Sequence, residues 1–578
     1  MAHHDHDSHN GCPMRTHHRS EYDHHDHHDK SHHKGHKDKS CHKVHKDKSC
    51  HKEHKECKPS LRKVIDQLIH RITEYRTLDG VGNNVSNPEW GAANQQLIRL
   101  TPAQYVDGST LIANRPNARL ISNVVINQTV QTVNSRGLSA MFWLFGQLID
   151  HDLDLTISNP AEPAPISLPP NEPLFTNPIP FDRSVFDPTT GTSVSNPRQQ
   201  LSTITSFLDG SVIYGSDTDR NSYIRSFHHG KLTMASGGLP PGNNGHYHND
   251  GPVSDYNKTY VCGDVRANVH VGLTSLHTLF VREHNHWARK IRKICPCLTD
   301  EQLYQKAKVM VEAELQAITY NEFLPLLLGT NKGGMPAYKG YNPAVDSSVS
   351  NEFSAAAYRF GHDLVSPILA RLTESGKTVE YGDIPLKDAF FISCRLCNEG
   401  GIEPLLRGFA ATFSEQLDGR VIDALRNMLF NPIHGLDLAS INLQRGRDHG
   451  LPTINQFRQN VGLPVYTTFE ELTGDPARAA EMSSAYGGDI SLVDLWIGGL
   501  VERKFNDGQL GETFNYIIKD QFIRLRDGDR FWYERRLTKD MVALVNDTKL
   551  SDIIIRNTGI EQIQENVFLQ ADRCGCPY

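Results

Sequence analysis

The sequence has no run approaching the roughly 18 consecutive apolar residues of a membrane-spanning helix, and we therefore expect no transmembrane segment. Its first residues, Met1-Ala-His-His, lack the apolar core of a secretory signal. We accordingly expect either an intracellular protein or one exported by a route that the sequence does not display. The formal net charge of −7 leaves no basic excess, which argues against nucleic acid as a partner.

Regular alternation of strands and helices is also missing, as is any glycine-rich loop of the kind that cradles phosphate. Strand-like stretches are short, at 212–214 and 378–381. Apolar residues instead recur at helical spacing in several long segments: 273–294, 301–324, 353–361 and 415–430. We predict a single, mainly α-helical body over residues 61–578.

Residues 1–60 have a different composition and hold seventeen of the thirty histidines. Almost no aliphatic side chains accompany them, so burial cannot offset the entropy of folding, and we predict a disordered His/Lys/Cys-rich tail. A nine-residue repeat begins at His36 and again at His45. Histidine and cysteine at short spacing bind transition-metal ions, which we expect of this tail. The alternative is a solvated product of repeat expansion.

A polar cluster ends the apolar helical stretch 138–153. Gln147, Asp150 and His151 are three and four residues apart, so they share one helix face, while Asp152 is turned about 100° away. Unpaired polar groups are costly in a core. We therefore expect a polar or cationic group against the first face and a separate partner for Asp152.

Three further motifs place polar residues in apolar settings: Gly263-Asp-Val-Arg266, Arg359-Phe-Gly-His362 and Asn442-Leu-Gln-Arg445. Together with the polar helix they resemble the animal-type haem peroxidases. This family, within the peroxidase–cyclooxygenase superfamily, includes the catalytic domains of peroxidasin, myeloperoxidase and lactoperoxidase. The resemblance covers most of residues 61–578 in order. It implies a catalytic domain with a helical core around a buried haem b, long ordered loops and little β structure.

The resemblance also implies a reaction and roles for three residues. His151 would transfer the proton of hydrogen peroxide, and Arg266 would stabilise the charge on the departing oxygen. Gln147 would hold distal water or a halide. The implied product is a ferryl, porphyrin-radical intermediate. It would oxidise halides (bromide, iodide), thiocyanate or phenolic donors.

Other residues are implied to hold the haem. His362 would be the proximal iron ligand, with Asn442 hydrogen-bonded to its second ring nitrogen. Arg359 and Arg445 would pair with the haem propionates. Asp150 corresponds to an aspartate that forms an ester with a haem methyl group.

Two positions depart from the family pattern. Val269 stands where a glutamate forms a second ester, and His270 where myeloperoxidase has a methionine bonded to haem. We therefore predict at most one ester, through Asp150, and no sulfonium link. With fewer covalent links, chloride oxidation is disfavoured relative to bromide, iodide, thiocyanate or organic donors.

A calcium site is implied beside the polar helix. Asp152 would bind the ion together with the side chains of Thr205, Asp209 and Ser211 and the carbonyl of Phe207. Oxygen ligands that include two carboxylates suit Ca²⁺. Taken alone, the segment 205–211 is better explained as an ordinary polar turn, and it is the pairing with Asp152 that favours a calcium site.

Two other functions compete with a peroxidase. Fatty-acid dioxygenases of the same superfamily use a tyrosine three residues before the proximal histidine. Here Arg359 holds that position and Tyr358 lies one earlier, which favours the peroxidase. A non-enzymatic haem- or metal-binding protein would be expected to have lost His151, Arg266 or His362, and all three are present.

Overall fold

The computed structural model describes residues 60–251, 258–430 and 435–570. Within these ranges the chain is mainly helical, as predicted, and strands pair only as three two-stranded antiparallel sheets. The predicted tail lies outside the described residues except for Ser60. None of the described helices combines the length and apolar character needed to cross a bilayer.

The α-helices of the described ranges follow in chain order. The first ten are α1 (Leu61–Arg71), α2 (Ala118–Ile121), α3 (Ala140–Leu153), α4 (Ser211–Tyr214), α5 (Thr218–Ile224), α6 (Val271–Ile294), α7 (Asp300–Ile318), α8 (Leu324–Leu328), α9 (Asn351–Ala355) and α10 (Glu403–Ala411). The others are α11 (Asp423–Arg426), α12 (Leu438–Asp448), α13 (Ile454–Asn460), α14 (Phe469–Thr473), α15 (Pro476–Ala485), α16 (Leu495–Val501), α17 (Glu512–Asp527), α18 (Tyr533–Arg536), α19 (Lys539–Asp547) and α20 (Leu550–Asn557). The strands are β1 (Gln95–Gln96), β2 (Ser158–Pro163), β3 (Asp182–Ser184), β4 (Leu201–Ser202), β5 (Ile368–Leu369) and β6 (Ile384–Pro385).

Helix α3 lies in the middle of the molecule. Its sequence is apolar on nearly every side, and twelve of its fourteen residues are buried. A helix that is apolar all round must be covered all round. Helices α6 and α10 and a 3₁₀ segment at 357–364 pack against it. The polar end of α3 is therefore enclosed by protein.

Helices α6 and α7 confirm the predictions for 273–294 and 301–324. His270 caps α6 by accepting a hydrogen bond from the backbone N–H of Leu273. Thr299 and Gln302 form a reciprocal capping box at the start of α7. The second predicted helix continues past α7 as a π-helical turn, 319–323, followed by α8.

The predicted helix over 415–430 is wrong, because only α11 is helical there. Gly419 has a φ of 84°, which ends any helix at that point. Backbone groups in this segment bond to distant chain instead: the N–H of Glu415 donates to Leu364, and that of Val421 to Ile126. The side-chain spacing is helical, but tertiary pairing decides the backbone conformation.

The other predicted elements also differ in part. The stretch 212–214 is helix α4, not a strand, and it lies between Gly210 and Gly215, whose φ values are 73° and 76°. At 378–381 the only pairing is an isolated bridge from Thr378. The predicted helix 353–361 is divided between α9 and the 3₁₀ segment.

Candidate active site

A cavity at the polar end of α3 holds about 1120 Å³ of space, including its open mouth. Two walls come from segments that the sequence singled out. Gln147, Asp150 and His151 project from α3, and His362 belongs to the 3₁₀ segment. Arg266, from the loop before α6, adds to the polar lining, as do Asp250, His270, Tyr358 and Arg359. Apolar side chains form most of the remainder, among them Phe142, Trp143, Phe390 and Phe430.

His151 is buried against the cavity with only 7% of its surface exposed. Its Nδ1 has no hydrogen-bond partner among the described residues, and the closest carboxylate oxygen, Oδ1 of Asp264, is 3.9 Å away. Burial and the charge of Arg266 lower the pKa of His151 well below its usual value. The imidazole is therefore neutral and able to accept a proton.

Arg266 is held by a carboxylate that sequence reasoning missed. Its Nε and Nη2 donate to Oδ1 and Oδ2 of Asp264 at 2.9 and 2.8 Å, and Nη2 also donates to the carbonyl of His151 at 3.1 Å. Burial alone would raise the pKa of Asp264, but Arg266 outweighs it and holds that pKa below its usual range. The pair stays ionised. The only sequence signal was the spacing Asp264-Val-Arg266.

Gln147 contacts His270. The sequence singles out His270 only because it stands where myeloperoxidase has a methionine bonded to haem, a bond that histidine cannot form. Gln147 Oε1 lies 2.8 Å from His270 Nε2. The other ring nitrogen, Nδ1, accepts from the N–H of Leu273 at 3.2 Å. Both residues line the cavity.

His362 contacts Asn442 of α12, with Nδ1 and Nδ2 2.8 Å apart. Asn442 Oδ1 accepts a hydrogen bond from Arg359 Nη1 at 2.7 Å. Burial, with Arg359 next, lowers the pKa of His362 to about 3, so its imidazole is neutral and can bind a metal. Arg359 also lines the cavity, as expected of a partner for an anionic group there.

Arg445 does not line the cavity. It donates to Ser184 Oγ at 2.7 Å and to Asp448 Oδ2 at 3.0 Å, and its guanidinium lies 4.2 Å from the ring centroid of Phe181. Of the two arginines assigned to propionates, the structure brings Arg359 to the cavity and places Arg445 in a polar network at the end of α12.

Comparison with known proteins agrees with this arrangement. The family model described as animal haem peroxidase matches residues 75–568. Human eosinophil peroxidase is 35% identical over an alignment of 561 positions that covers 87% of this chain and 78% of that protein. The chain belongs to the animal haem peroxidase family. It is therefore an enzyme that acts on hydrogen peroxide, and its family implies a bound haem.

Two proteins from Dictyostelium discoideum are also similar to this chain. Peroxinectin A from Dictyostelium discoideum is 34% identical over 86% of this chain and 96% of that protein. The solved structure of peroxidase A from the same organism gives a TM-score of 0.79 at 33% identity and covers 86% of this chain and 100% of that one. An Arabidopsis thaliana fatty acid α-dioxygenase shares the fold, with a TM-score of 0.74 at 22% identity.

The predicted calcium residues of this animal haem peroxidase lie together. Asp152 accepts hydrogen bonds from the N–H groups of Gly210 and Val212 and from Ser211 Oγ, at 3.1, 3.0 and 3.0 Å. Burial, followed by the charge of Asp209, raises the pKa of Asp152 to about 8. Two carboxyl groups buried side by side favour a cation between them.

Thr205 and Phe207 belong to the same buried loop. Thr205 Oγ1 faces the Asp209 carboxyl but makes no hydrogen bond of normal geometry there. A buried hydroxyl left in this state has an oxygen available to a cation.

Tyr358 lies one position before Arg359, which stands where fatty-acid dioxygenases have their tyrosine. The structure puts it in the cavity lining. Its hydroxyl is buried and has no hydrogen-bond partner among the described residues. A phenol therefore does face this cavity, from a different position in the motif.

Proposed function

We propose that the protein is a haem peroxidase that uses hydrogen peroxide to oxidise small anions, with phenols as further donors. One observation carries the proposal: His151, Arg266, Gln147 and His362 line a single cavity, although up to 215 residues separate them in sequence. A neutral base, a fixed cation, an amide donor and a neutral imidazole are the groups that such a reaction needs.

The residues present fit a haem. His362 offers a neutral imidazole, and Arg359 a guanidinium that can meet a propionate. If Nε2 of His362 binds iron, Nδ1 carries the proton, so the oxygen of Asn442 must face it. A half-turn of that amide provides this and releases Arg359 from Asn442. Bound haem supplies the redox-active iron at which peroxide is reduced.

The protein's own groups would move the proton. His151 takes it from one oxygen of hydrogen peroxide and returns it to the other, which leaves as water. Arg266, fixed by Asp264, stabilises the negative charge that develops on the departing oxygen. Because its partner carboxylate is already in place, the guanidinium does not reorganise during the reaction.

Asp150 is the candidate for a single haem ester. It lines the cavity, and burial, followed by the Asp154 carboxyl, raises its pKa to about 8. Val269, also in the lining, cannot form an ester, so a second link is absent from the proposal. Acid–acetone extraction tests this: peroxide-treated protein that releases all of its haem has no ester, and Asp150→Asn should release it in either case.

A calcium ion would complete the loop beside α3. Asp152, Asp209, Thr205 and Ser211 would supply side-chain oxygens and Phe207 its carbonyl. The ion would hold the end of α3 and so keep His151 in place.

The His- and Cys-rich tail is proposed to bind transition-metal ions. Retention of the full chain on a Ni²⁺ resin, but not of residues 61–578, would support this.

The reaction is tested on protein expressed with hemin, by its absorbance before and after a stoichiometric pulse of hydrogen peroxide. The expected result is a rapid loss of Soret intensity that bromide, iodide, thiocyanate or a phenol reverses. Chloride should be a poorer donor. Protein that binds no haem, or a haem band indifferent to peroxide, would contradict the proposal.

A fatty-acid dioxygenase is the second candidate, favoured by Tyr358 in the cavity lining. Such an enzyme would take up oxygen with linoleate in the absence of peroxide, and Tyr358→Phe would abolish the uptake. For the peroxidase we expect no uptake and little effect of Tyr358→Phe on bromide oxidation.

A further inference from the structure

We propose that His270 is a positioning residue that fixes the side-chain amide of Gln147 so that its NH₂ group faces an anionic donor in the cavity. The inference rests on the proposed peroxidase function and deepens it, because it names the residue that turns the Gln147 amide toward an anionic donor. His270 itself would touch neither the peroxide nor the donor.

The protonation of His270 follows from its two contacts. Nδ1 accepts the N–H of Leu273 at the start of α6, so this nitrogen carries no proton. The imidazole is 3% exposed, and burial lowers its pKa to about 3. The ring is thus neutral at ordinary pH and holds its single proton on Nε2. Nε2 must donate to Gln147 Oε1, 2.8 Å away.

That donation decides which end of the Gln147 amide is free. An amide has one acceptor oxygen and two N–H donors. With Oε1 occupied by His270, the NH₂ group remains, and no described residue bonds to it. N–H donors attract an anion, whereas a carbonyl oxygen in the same place would repel one. Orientation of the amide therefore sets the sign of the local dipole.

Packing keeps the imidazole from turning. The ring of His270 lies against Trp143 with centroids 5.7 Å apart, and Trp143 in turn meets the edge of Phe409 at 5.4 Å. The capping bond to Leu273 fixes the same ring from the other side. Gln147 thus contacts a donor that belongs to the rigid start of α6.

His270→Asn separates the two roles of this residue. Asparagine is a favoured helix cap, so α6 keeps its start, but its shorter side chain does not reach Gln147. In this variant the amide of Gln147 is free to present either its oxygen or its nitrogen. We expect the KM for bromide and iodide to rise about fivefold, as for the loss of one hydrogen bond. The KM for guaiacol, a neutral phenol, should be unchanged.

A double-mutant cycle shows whether His270 acts through Gln147. Gln147→Leu alone should weaken bromide binding at least as much as His270→Asn. Adding His270→Asn to Gln147→Leu should then weaken bromide binding no further. Two independent, additive effects would overturn the proposal, as would an unchanged bromide KM in His270→Asn.

Crystals soaked in bromide give a readout that does not depend on turnover. Anomalous density within hydrogen-bonding distance of Gln147 Nε2 in the wild-type protein, and its loss in His270→Asn, would support the proposal. Density that persists in the variant would overturn it. Wild-type protein that reacts with peroxide but binds and oxidises no anion would overturn it too, while leaving the peroxidase itself standing. Wild-type protein indifferent to peroxide would overturn both.

Discussion

Arg266 and Asp264 meet side by side, with Nε and Nη2 of the guanidinium donating to the two carboxylate oxygens at 2.9 and 2.8 Å. Fork-to-fork pairs of this kind fix both distance and plane. Asp264 is 3% exposed, so solvent does not weaken the contact. The same arginine reaches the carbonyl of His151, which ties the cation to the end of α3.

Asp264→Asn should slow the reaction with hydrogen peroxide about tenfold. The amide keeps the shape of the carboxylate but loses its charge and one acceptor oxygen, so Arg266 is held less firmly where charge develops. Stopped-flow absorbance gives the second-order rate constant. Asp540→Asn, which alters a surface pair with Lys63, is the matched control and should have no effect. Equal rates in both variants would remove Asp264 from the mechanism.

His151→Ala should slow the same step by at least roughly 10²-fold, the lower range for loss of general acid–base catalysis. Haem content should stay normal, because His362 is untouched. His246→Ala, at an exposed histidine, serves as the control. A variant that keeps more than a tenth of the wild-type rate constant would assign the proton transfer to another group.

Asn442→Asp should lower the reduction potential of the bound haem. A carboxylate beside Nδ1 of His362 draws its proton more strongly than an amide, which makes the imidazole a better electron donor to iron. Spectroelectrochemical titration of the holoprotein measures the shift. His362→Ala should retain no haem. Loss of the iron ligand is thereby distinguished from a change in how strongly His362 donates electrons to iron.

Thr205→Val should weaken calcium binding while changing the stability of the calcium-free protein little. Valine matches threonine in shape, and the hydroxyl that it replaces makes no normal hydrogen bond. Thermal unfolding with and without EGTA tests this. Chelation should lower the midpoint of the wild-type protein by several degrees and that of the variant by less. Identical responses to EGTA would exclude Thr205 as a ligand.

Glu322 predicts a pH dependence that is independent of haem and calcium. Burial raises its pKa from 4.5 to about 7, and only Oε1 is bonded, by the N–H of Leu550. The folded state thus holds this proton more tightly than the unfolded state. Its contribution to stability is present below about pH 4.5 and lost as the pH rises through about 7.

Glu322→Gln keeps the acceptor for Leu550 and removes this titration. Relative to the wild type, the variant should gain stability between pH 4.5 and 8, by at most about 3 kcal/mol. Unfolding midpoints at pH 5 and pH 8 measure the difference. If the difference in unfolding midpoint between variant and wild type is the same at pH 5 and pH 8, Glu322 is not the titrating group.

The long helices were predictable because residues within and next to each helix specify it. Residues 273–294 have helical spacing throughout, a cap at His270 and no competing glycine. The segment 415–430 has similar spacing, but its backbone groups find partners in distant chain, which no local pattern records. At 212–214, β-branched and aromatic residues suggested a strand, whereas Asp152 and the flanking glycines make one helical turn.

Site residues divide in the same way. His151, Arg266 and His362 could be named because each lies in a motif with a recognisable neighbourhood. Asp264 and His270 could not be given roles, because the spacing Asp264-Val-Arg266 does not by itself show that the two side chains pair, and the contact of His270 with Gln147 joins distant segments. Arg445 was assigned from its motif, yet the structure engages it with Ser184 and Asp448.

The walls of the cavity come from chain positions as far apart as Phe142 and Leu438. The shortest fragment that contains the cavity spans about half of the chain, and contacts this distant in sequence are slow to form during folding. Uptake of haem should accordingly be the last event when the denatured chain refolds with hemin, after the far-ultraviolet circular dichroism has recovered. Haem binding would then indicate that the segments between Phe142 and Leu438 have reached their native arrangement.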